Sequence, residues 1–240
     1  MTTTYYIPPD HISGNKAVLP AEEVKHAVQV LRHNAGDEII GVDGAGGWYR
    51  IVLSDVTKRN VVGDVVEIKQ NVGESDFELT IAFGLLKNQK RVEVFVEKAC
   101  ELGVTRIIPL KTRRTEKHKL RLDRLNKILI AAMKQCGRSK MVEVTEAHGF
   151  SEVLTLDEAA FGLICHESID PENSLLKVIG QNKTKNYLVL VGPEGGFSEE
   201  EVGQALEAGM LPVSLGTRRL RAETAAITAC AGISLFNTTV

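Results

Sequence analysis

The chain has 240 residues, 43% of them hydrophobic and 25% charged, with a net charge of −2 at neutral pH; this is enough apolar side chain to fill one large core or two ordinary ones, and it excludes a disordered tail. No stretch approaches the roughly 20 uninterrupted apolar residues that span a bilayer, and no basic leader followed by an apolar run opens the sequence, so a cytoplasmic protein without a membrane partner is expected. Cys100, Cys136, Cys165 and Cys230 lie far apart with no C-x-x-C pair, which suits reduced, mostly buried thiols better than a disulfide frame or a zinc site, and no metal is expected.

The first seventy residues read as short strands and one helix. A strand at Tyr5-Tyr6-Ile7 precedes a helix over Ala21–Arg32, where Val24, Val28 and Leu31 recur at helical spacing. Three β-type runs follow, Glu38–Val42, Trp48–Asp55 and Val61–Ile68, the first two joined by Asp43-Gly44-Ala45-Gly46-Gly47. That glycine cluster has the wrong spacing for a dinucleotide fingerprint and no helix behind it, so a tight turn is expected. Short strands with Gly-rich turns predict a small β-barrel or sandwich.

From Phe77 onward strands and helices alternate. Leu79–Leu85 reads as a strand and Arg91–Leu102 as a helix, with Val92, Phe95, Val96 and Ala99 on one face and Gly103 as its stop. Arg106–Leu110 is the next strand and Leu122–Gln135 the next helix, ended by Gly137; Ala160–Cys165, Tyr187–Val191 and Pro212–Leu215 are further short strands. Such alternation predicts an α/β domain with a mostly parallel sheet and helices on both faces. The run NVGESD at Asn71–Asp76 interrupts both patterns, which places a domain boundary there, between residues 1–72 and 73–240.

The small net charge conceals an asymmetry. Residues 111–140 hold eleven Lys/Arg against two Asp/Glu, a charge of +9 that leaves −11 on the remainder. A basic belt on an acidic body suits a polyanion partner; a solvated helix face has the same composition.

Two loops near the C-terminus carry the chemistry. VLVGPEGGFSEEE runs from an apolar strand into Gly192-Pro193-Glu194-Gly195-Gly196, and SLGTRRLRAETAA runs from the next strand into Gly216 and Arg218, Arg219 and Arg221. Both occupy the carboxyl ends of strands, where ligands bind in parallel sheets. The glycines permit close backbone approach, and Ser198 with Glu201 forms a capping box for the helix behind. Ordinary β–α turns also favour Gly and Pro, but three glycines beside a buried Glu194 favour a ligand. The run GPEGGFSEE lacks the lysine of a phosphate loop and has the opposite charge; it suits a cationic or donor-rich ligand. The arginines opposite suit phosphate or a developing anion.

The runs LVGPEGGFSEEE, SLGTRRLRAETAA, VEKACELGVTRIIPL and the pair RT…QCGR closely resemble the RsmE family of ribosomal RNA uracil-N3 methyltransferases, in the SPOUT superfamily. The resemblance spans the whole chain, with HAVQVLR similar to that family's PUA-like RNA-binding module. It implies a PUA-like β-barrel over residues 1–72 and, over 73–240, a SPOUT domain tied in a trefoil knot. It implies S-adenosylmethionine held by Cys165, His166, Val191, Gly192, Glu194, Gly195, Gly196, Leu215, Gly216, Leu220 and Thr224. Its sulfonium and amino group answer the acidic glycine loop. It implies a 16S ribosomal RNA substrate, within the small subunit, gripped by Arg32, Arg114, Lys117, Lys119, Arg121, Gln135, Arg138 and Arg218, and a homodimer. The chain departs from the family pattern at Arg113-Arg114-Thr115, Lys134-Gln135 and Arg219.

Uracil N3 carries a proton and is a poor nucleophile until it loses it, so such an enzyme needs a base or an anion stabiliser beside the methyl donor. N3 lies on the Watson–Crick edge, and the target must be unpaired or extruded. Arg221 is expected to hold the uracilate oxygens. Glu223 either takes the proton, positions Arg221, or is an ordinary acidic residue in the first turn of a helix. His166 and His118 are expected to be ordinary packed or surface residues in the chemistry. A SPOUT ribose 2′-O-methyltransferase and a non-catalytic RNA-binding assembly module are the alternative functions.

Overall fold

The structure, a computed structural model, describes residues 3–115, 120–156, 159–167, 169–182 and 184–239. These form two compact units, Met1–Glu74 with Ile130–Met141 and Ser75–Leu129 with Val142–Val240.

The first unit holds a six-stranded sheet in the order β1-β4-β5-β6-β3-β2, with β1 (Thr4–Tyr6), β2 (Ile12–Ser13), β3 (Lys16–Val18), β4 (Glu38–Val42), β5 (Gly47–Val56) and β6 (Val61–Gln70). β1 pairs parallel to β4 and the other pairs are antiparallel. Tyr5, Ile7, Ile39, Ile51, Leu53 and Val61 fill its core with Val24 and Ala27. Register shifts at Arg50/Ile51 and Leu53/Asp55 mark β-bulges that bend the long β5–β6 ribbon. The expected helix appears in two pieces, α1 (Ala21–Lys25) and a π-helical turn over His26–Val30. The wider turn ends in a left-handed Arg32 (φ 56°) and leaves Leu31 40% exposed, where the helical period placed it inward. β2 and β3 escaped the sequence reading because two or three residues are too short to show a period. The Asp43–Gly47 turn is closed by Asp43, whose Oδ1 accepts from the N–H groups of Ala45 and Gly47 at 2.8 Å each.

The second unit is a parallel sheet in the order β10-β8-β7-β12-β11-β13, with β9 paired to β8. Its strands are β7 (Glu78–Gly84), β8 (Arg106–Lys111), β9 (Glu143–Val144), β10 (His148–Gly149), β11 (Phe161–Cys165), β12 (Asn186–Val191) and β13 (Leu211–Val213). β12 is buried without interruption from Tyr187 to Val191, as a strand covered on both faces must be. α2 (Gln89–Glu101) buries Val92, Phe95, Val96 and Ala99, begins at Asn88, whose side chain accepts from Lys90 N–H, and stops at Gly103 (φ 83°). α3 (Leu122–Cys136), of which Leu122–Leu129 belong to this unit and Ile130–Cys136 to the first, stops at Gly137 (φ 77°). α4 (Phe150–Val153), α5 (Leu175–Gly180), α6 (Glu199–Glu207) and α7 (Ala222–Thr239) complete the unit. α7 packs on α2, α5, β7 and β12. The strand expected over Pro212–Leu215 ends instead at Val213, which frees Ser214 and Leu215 for the loop that follows.

The basic belt is partly neutralised by the fold. Arg138 is 3% exposed; its Nε and Nη2 donate to Glu74 Oε2 at 3.0 and 2.8 Å, while Glu74 Oε1 accepts from Ser139 and Lys140 N–H. Expected as an RNA contact, Arg138 is instead one half of a buried ion pair that ties residues 138–140 into the first unit. Lys134 pairs with the buried Glu23, Arg113 with Glu200 and Arg124 with Glu93. Arg32, Arg121 and Gln135 are exposed. Lys117, His118 and Lys119 lie outside the described residues.

Candidate active site

The parallel register brings the ends of β11, β12 and β13 together, and the loops that leave them line a pocket of about 640 Å³. Cys165 ends β11, and His166 and Glu167 follow it; Val191 ends β12, and Gly192 to Phe197 follow it; Ser214 to Ala222 follow β13. Arg91 reaches the pocket from the first turn of α2, and Arg114 from the loop after β8.

The glycine loop folds tightly on itself. Gly196 N–H donates to Pro193 O at 2.8 Å and Gly196 has φ 68°. A Cβ on Gly192 would lie 3.0 Å from the carbonyl carbon of Gly196 and 3.2 Å from Phe197 N, so a side chain at 192 makes the backbone of the loop give way. The loop also rests on the end of β7: a Cβ on Gly84 would lie 2.4 Å from Pro193 N. The predicted capping box is present, with Ser198 N–H donating to Glu201 Oε2 at 2.8 Å and Glu201 N–H to Ser198 Oγ at 3.2 Å. Glu201 has a second task. Its Oε1 accepts from Arg113 N–H at 2.7 Å, which fastens the loop after β8 to the start of α6.

The arginine loop begins with Ser214, whose Oγ accepts from Gly216 N–H at 3.2 Å, and Gly216 takes φ 111°. Behind the loop, Ser214 N–H donates to Asn173 O and Leu175 N–H to Ser214 O, at 2.9 and 3.0 Å, and His166 N–H donates to Val213 O at 3.2 Å.

The charges differ from the expected opposition of one acidic and one basic loop. Glu194, read as buried, is exposed, because Pro193 and Phe197 take the inward positions of the turn. The glycine loop is not left acidic, since Arg114 donates to Gly195 O. Burial pushes the Cys165 thiol up to about 12, so it is a neutral, apolar part of the wall. Glu223 is buried with Arg91 Nε 3.5 Å from its Oε1.

Of the residues expected at the cofactor, Cys165, His166, Val191, Gly192, Glu194, Gly195, Gly196, Leu215, Gly216 and Leu220 line this one pocket, as do Arg114, Arg218 and Arg221; Thr224 and Glu223 stand outside its lining. The sequence reading missed Arg91, Phe197 and Gly84. Arg91 carried one local signal, a cation in a helix first turn that lacks any acid. Among the described residues, no group of three His, Cys, Asp or Glu side chains is arranged to hold a metal, and no helix is long and apolar enough to cross a membrane.

A family described as an RNA methyltransferase domain matches residues 73–234, and one described as an RNA methyltransferase PUA domain matches residues 19–66. The ribosomal RNA small subunit methyltransferase E of Rickettsia conorii is 30% identical, covering 93% of this chain and 91% of its own length. That of Bacillus subtilis is 31% identical, covering 90% and 88%. Among solved structures, the ribosomal RNA small subunit methyltransferase E of Neisseria gonorrhoeae, bound to S-adenosyl methionine, superposes with a TM-score of 0.85 at 29% identity over 96% of each chain. A methyltransferase of Legionella pneumophila in complex with the same cofactor gives 0.82 at 28% identity over 98% of each. With one domain match spanning most of the α/β unit, another in the β unit, and relatives similar along nearly their full length, this chain belongs to the RNA methyltransferase family that includes ribosomal RNA small subunit methyltransferase E.

Proposed function

We propose that the protein transfers a methyl group from S-adenosylmethionine to N3 of a uracil in 16S ribosomal RNA. The observation that carries this reading is the pocket itself, where the ends of three parallel strands deliver a bare glycine cradle and an arginine loop to one cavity. Its volume of about 640 Å³ lies in the range of cofactor sites. The cradle that a Cβ at 192 would fill, the neutral Cys165 wall, and the carboxylates of Glu167 and Glu194 on the lining suit a flat purine nucleoside with a cationic amino-acid tail. When bound, S-adenosylmethionine supplies an electrophilic methyl group, taken by N3 as the carbon–sulfur bond breaks with its electron pair going to sulfur.

The chain's own residues hold and polarise. Gly192, Gly195 and Gly196 admit the nucleoside, and Arg221 at the pocket wall holds the pyrimidine oxygens as N3 gives up its proton to solvent. Residues 1–72 act as the PUA-like RNA-gripping domain and 73–240 as the catalytic one, with Arg32, Arg121, Gln135 and Arg218 as exposed RNA contacts alongside Lys117 and Lys119. The return of the chain from edge strand β13 to α7 against central β7 and β12 supports the trefoil knot of the SPOUT fold. Leu235 on α7, 65% exposed, supports a homodimer that buries that end of the helix. The small ribosomal subunit in the cytoplasm is the setting this substrate implies.

Mass spectrometry of digested ribosomal RNA from a strain lacking the gene tests the reading. Loss of one 3-methyluridine, restored by the gene, is the expected result. Loss of a ribose methyl would identify a 2′-O-methyltransferase, and an unchanged set of modifications would mark a non-catalytic RNA-binding protein.

A further inference from the structure

The first turn of α2 runs against helix electrostatics. It holds Lys90 and Arg91 and no acidic residue, so cations sit at the end of a helix dipole that favours carboxylates. Arg91 is held there by another helix: its Nε lies 3.5 Å from Oε1 of Glu223 in the first turn of α7, and the two helices pack together. Glu223 is 9% exposed, and its other oxygen, Oε2, is buried with no partner among the described residues. A buried carboxylate oxygen with no hydrogen-bond partner costs free energy that the fold offsets elsewhere. Local rules broken in this way mark places shaped for function. What the arrangement achieves is a guanidinium set in the pocket wall with its acid behind it, since Arg91 lines the pocket and Glu223 does not.

The other pocket cations are held differently. Arg219 pairs with Glu167 at 3.7 Å, but the two side chains are 82% and 70% exposed. Arg114 is engaged by Gly195 O, and Arg218 and Arg221 are exposed. Of the five pocket arginines, Arg91 is the one backed by a buried carboxylate among the described residues.

We propose that Arg91 is a catalytic residue that binds the anionic edge of the deprotonated pyrimidine, and that Glu223 is its positioning residue and not the base. This rests on the methyl-transfer reading above. Loss of the N3 proton, which goes to solvent, spreads negative charge over N3 and the carbonyl oxygens on either side of it. A planar fork of N–H donors matches that edge, whereas a point charge does not. Arg91 thereby joins Arg221 on the anion, in a field also set by Arg114, Arg218, Arg219, Glu167 and Glu194.

The test uses the RNA fragment that carries the nucleotide found methylated, synthesised with 5-fluorouridine at that position. Bound to the full-length protein with S-adenosylhomocysteine, which has no methyl to transfer, its fluorine resonance reports N3 ionisation directly. In the parent protein the ionisation midpoint is expected to fall by about one pH unit or more relative to free RNA, a tenfold gain in the anion. Arg91→Ala returns most of that shift, while calorimetric affinity for S-adenosylmethionine stays within about twofold. Arg91→Lys, which keeps the charge and the fold, recovers less than half. Glu223→Gln leaves an acceptor for Arg91 and gives an intermediate midpoint, and the double variant is no worse than Arg91→Ala, as for two residues acting as one.

A midpoint unmoved in both Arg91 variants overturns the proposal. So does a fall of tenfold or more in cofactor affinity with the midpoint unmoved, which assigns Arg91 to the cofactor's carboxylate. Single-turnover losses for Glu223→Gln that add fully to those of Arg91→Ala restore Glu223 as an independent base. Failure of the methyl-transfer reading is seen separately, in parent protein that binds no S-adenosylmethionine and whose loss removes no methylated nucleotide.

Discussion

Arg114 lies across Gly195: a Cβ on Gly195 would meet Arg114 Cδ at 3.2 Å and Cβ at 3.4 Å, and the Arg114 guanidinium donates to Gly195 O. The loop after β8 and the loop after β12 are therefore joined at the pocket. Arg113 N–H on Glu201 Oε1, at 2.7 Å, makes the second fastening.

This contact separates the glycines of the loop by consequence. A side chain at 195 meets the stem of an exposed arginine side chain, whereas one at 192 meets the backbone of Gly196 and Phe197 at 3.0–3.2 Å. Gly192→Val is expected to weaken S-adenosylmethionine at least tenfold, about 1.4 kcal/mol, and Gly195→Ala by less than about threefold. Calorimetry on the two folded variants checks the order; equal losses would place the cofactor against Gly195 itself.

Gly84 ends a strand with the glycine loop on top of it. Gly84→Ala puts a methyl 2.4 Å from Pro193 N and 2.8 Å from Gly192 C, both backbone, so the loop must lift. Overpacking of this kind costs about 1–3 kcal/mol, which for a chain of this size lowers Tm by about 2–4 °C per kcal/mol. Differential scanning calorimetry and cofactor affinity should fall together.

Exposed and buried cations of the basic belt are expected to fail in different ways. Neutralising Lys117, Lys119 and Arg121 should flatten the slope of log RNA affinity against log salt by up to about three contacts and leave cofactor affinity alone. Arg138→Ala strands Glu74, whose side chain is 8% exposed, and should destabilise by about 3–5 kcal/mol. An Arg138 variant with normal melting and a flattened salt slope would return it to the RNA surface.

Arg221 is exposed on the pocket wall, next to the start of α7. If it holds the developing anion, Arg221→Ala lowers the single-turnover rate at saturating RNA by about 100-fold or more, with cofactor and RNA affinity little changed. Arg221→Lys recovers little, since the planar fork is lost. A near-normal saturated rate with weakened RNA binding would make Arg221 a phosphate anchor.

Burial raises the Cys165 thiol to about 12 and the Cys230 thiol further, and burial raises the Tyr5 phenol to about 12. In the unfolded chain these groups lose protons at their ordinary values, from about pH 9 upward. Above that point the unfolded state binds fewer protons than the folded one, so stability falls as pH rises, by about 1.4 kcal/mol per pH unit for each group. Urea midpoints should hold steady up to about pH 8.5 and drop between about pH 9 and 12, and Cys165→Ala should make the drop shallower.

What the sequence determined by itself is what neighbours in the chain decide. Tyr187–Val191 is apolar throughout, and a strand covered on both faces needs that. Ser198 and Glu201 cap a helix across three residues, and Gly103 and Gly137 stop helices with backbone angles other residues avoid. The two loops at 192–196 and 216–221 were legible because each follows its strand directly. The fate of charges was not. Arg138 reads as one more cation in a belt, and only the fold sets it against Glu74, 64 residues away. Lys134 meets Glu23 across 111 residues, Glu194 turns out to solvent, and Arg91 enters the pocket wall with Glu223 behind it. Propensity and capping act between residues a few positions apart, whereas burial of a charge depends on which partner the tertiary structure brings to it, and in this protein those partners come from distant parts of the chain.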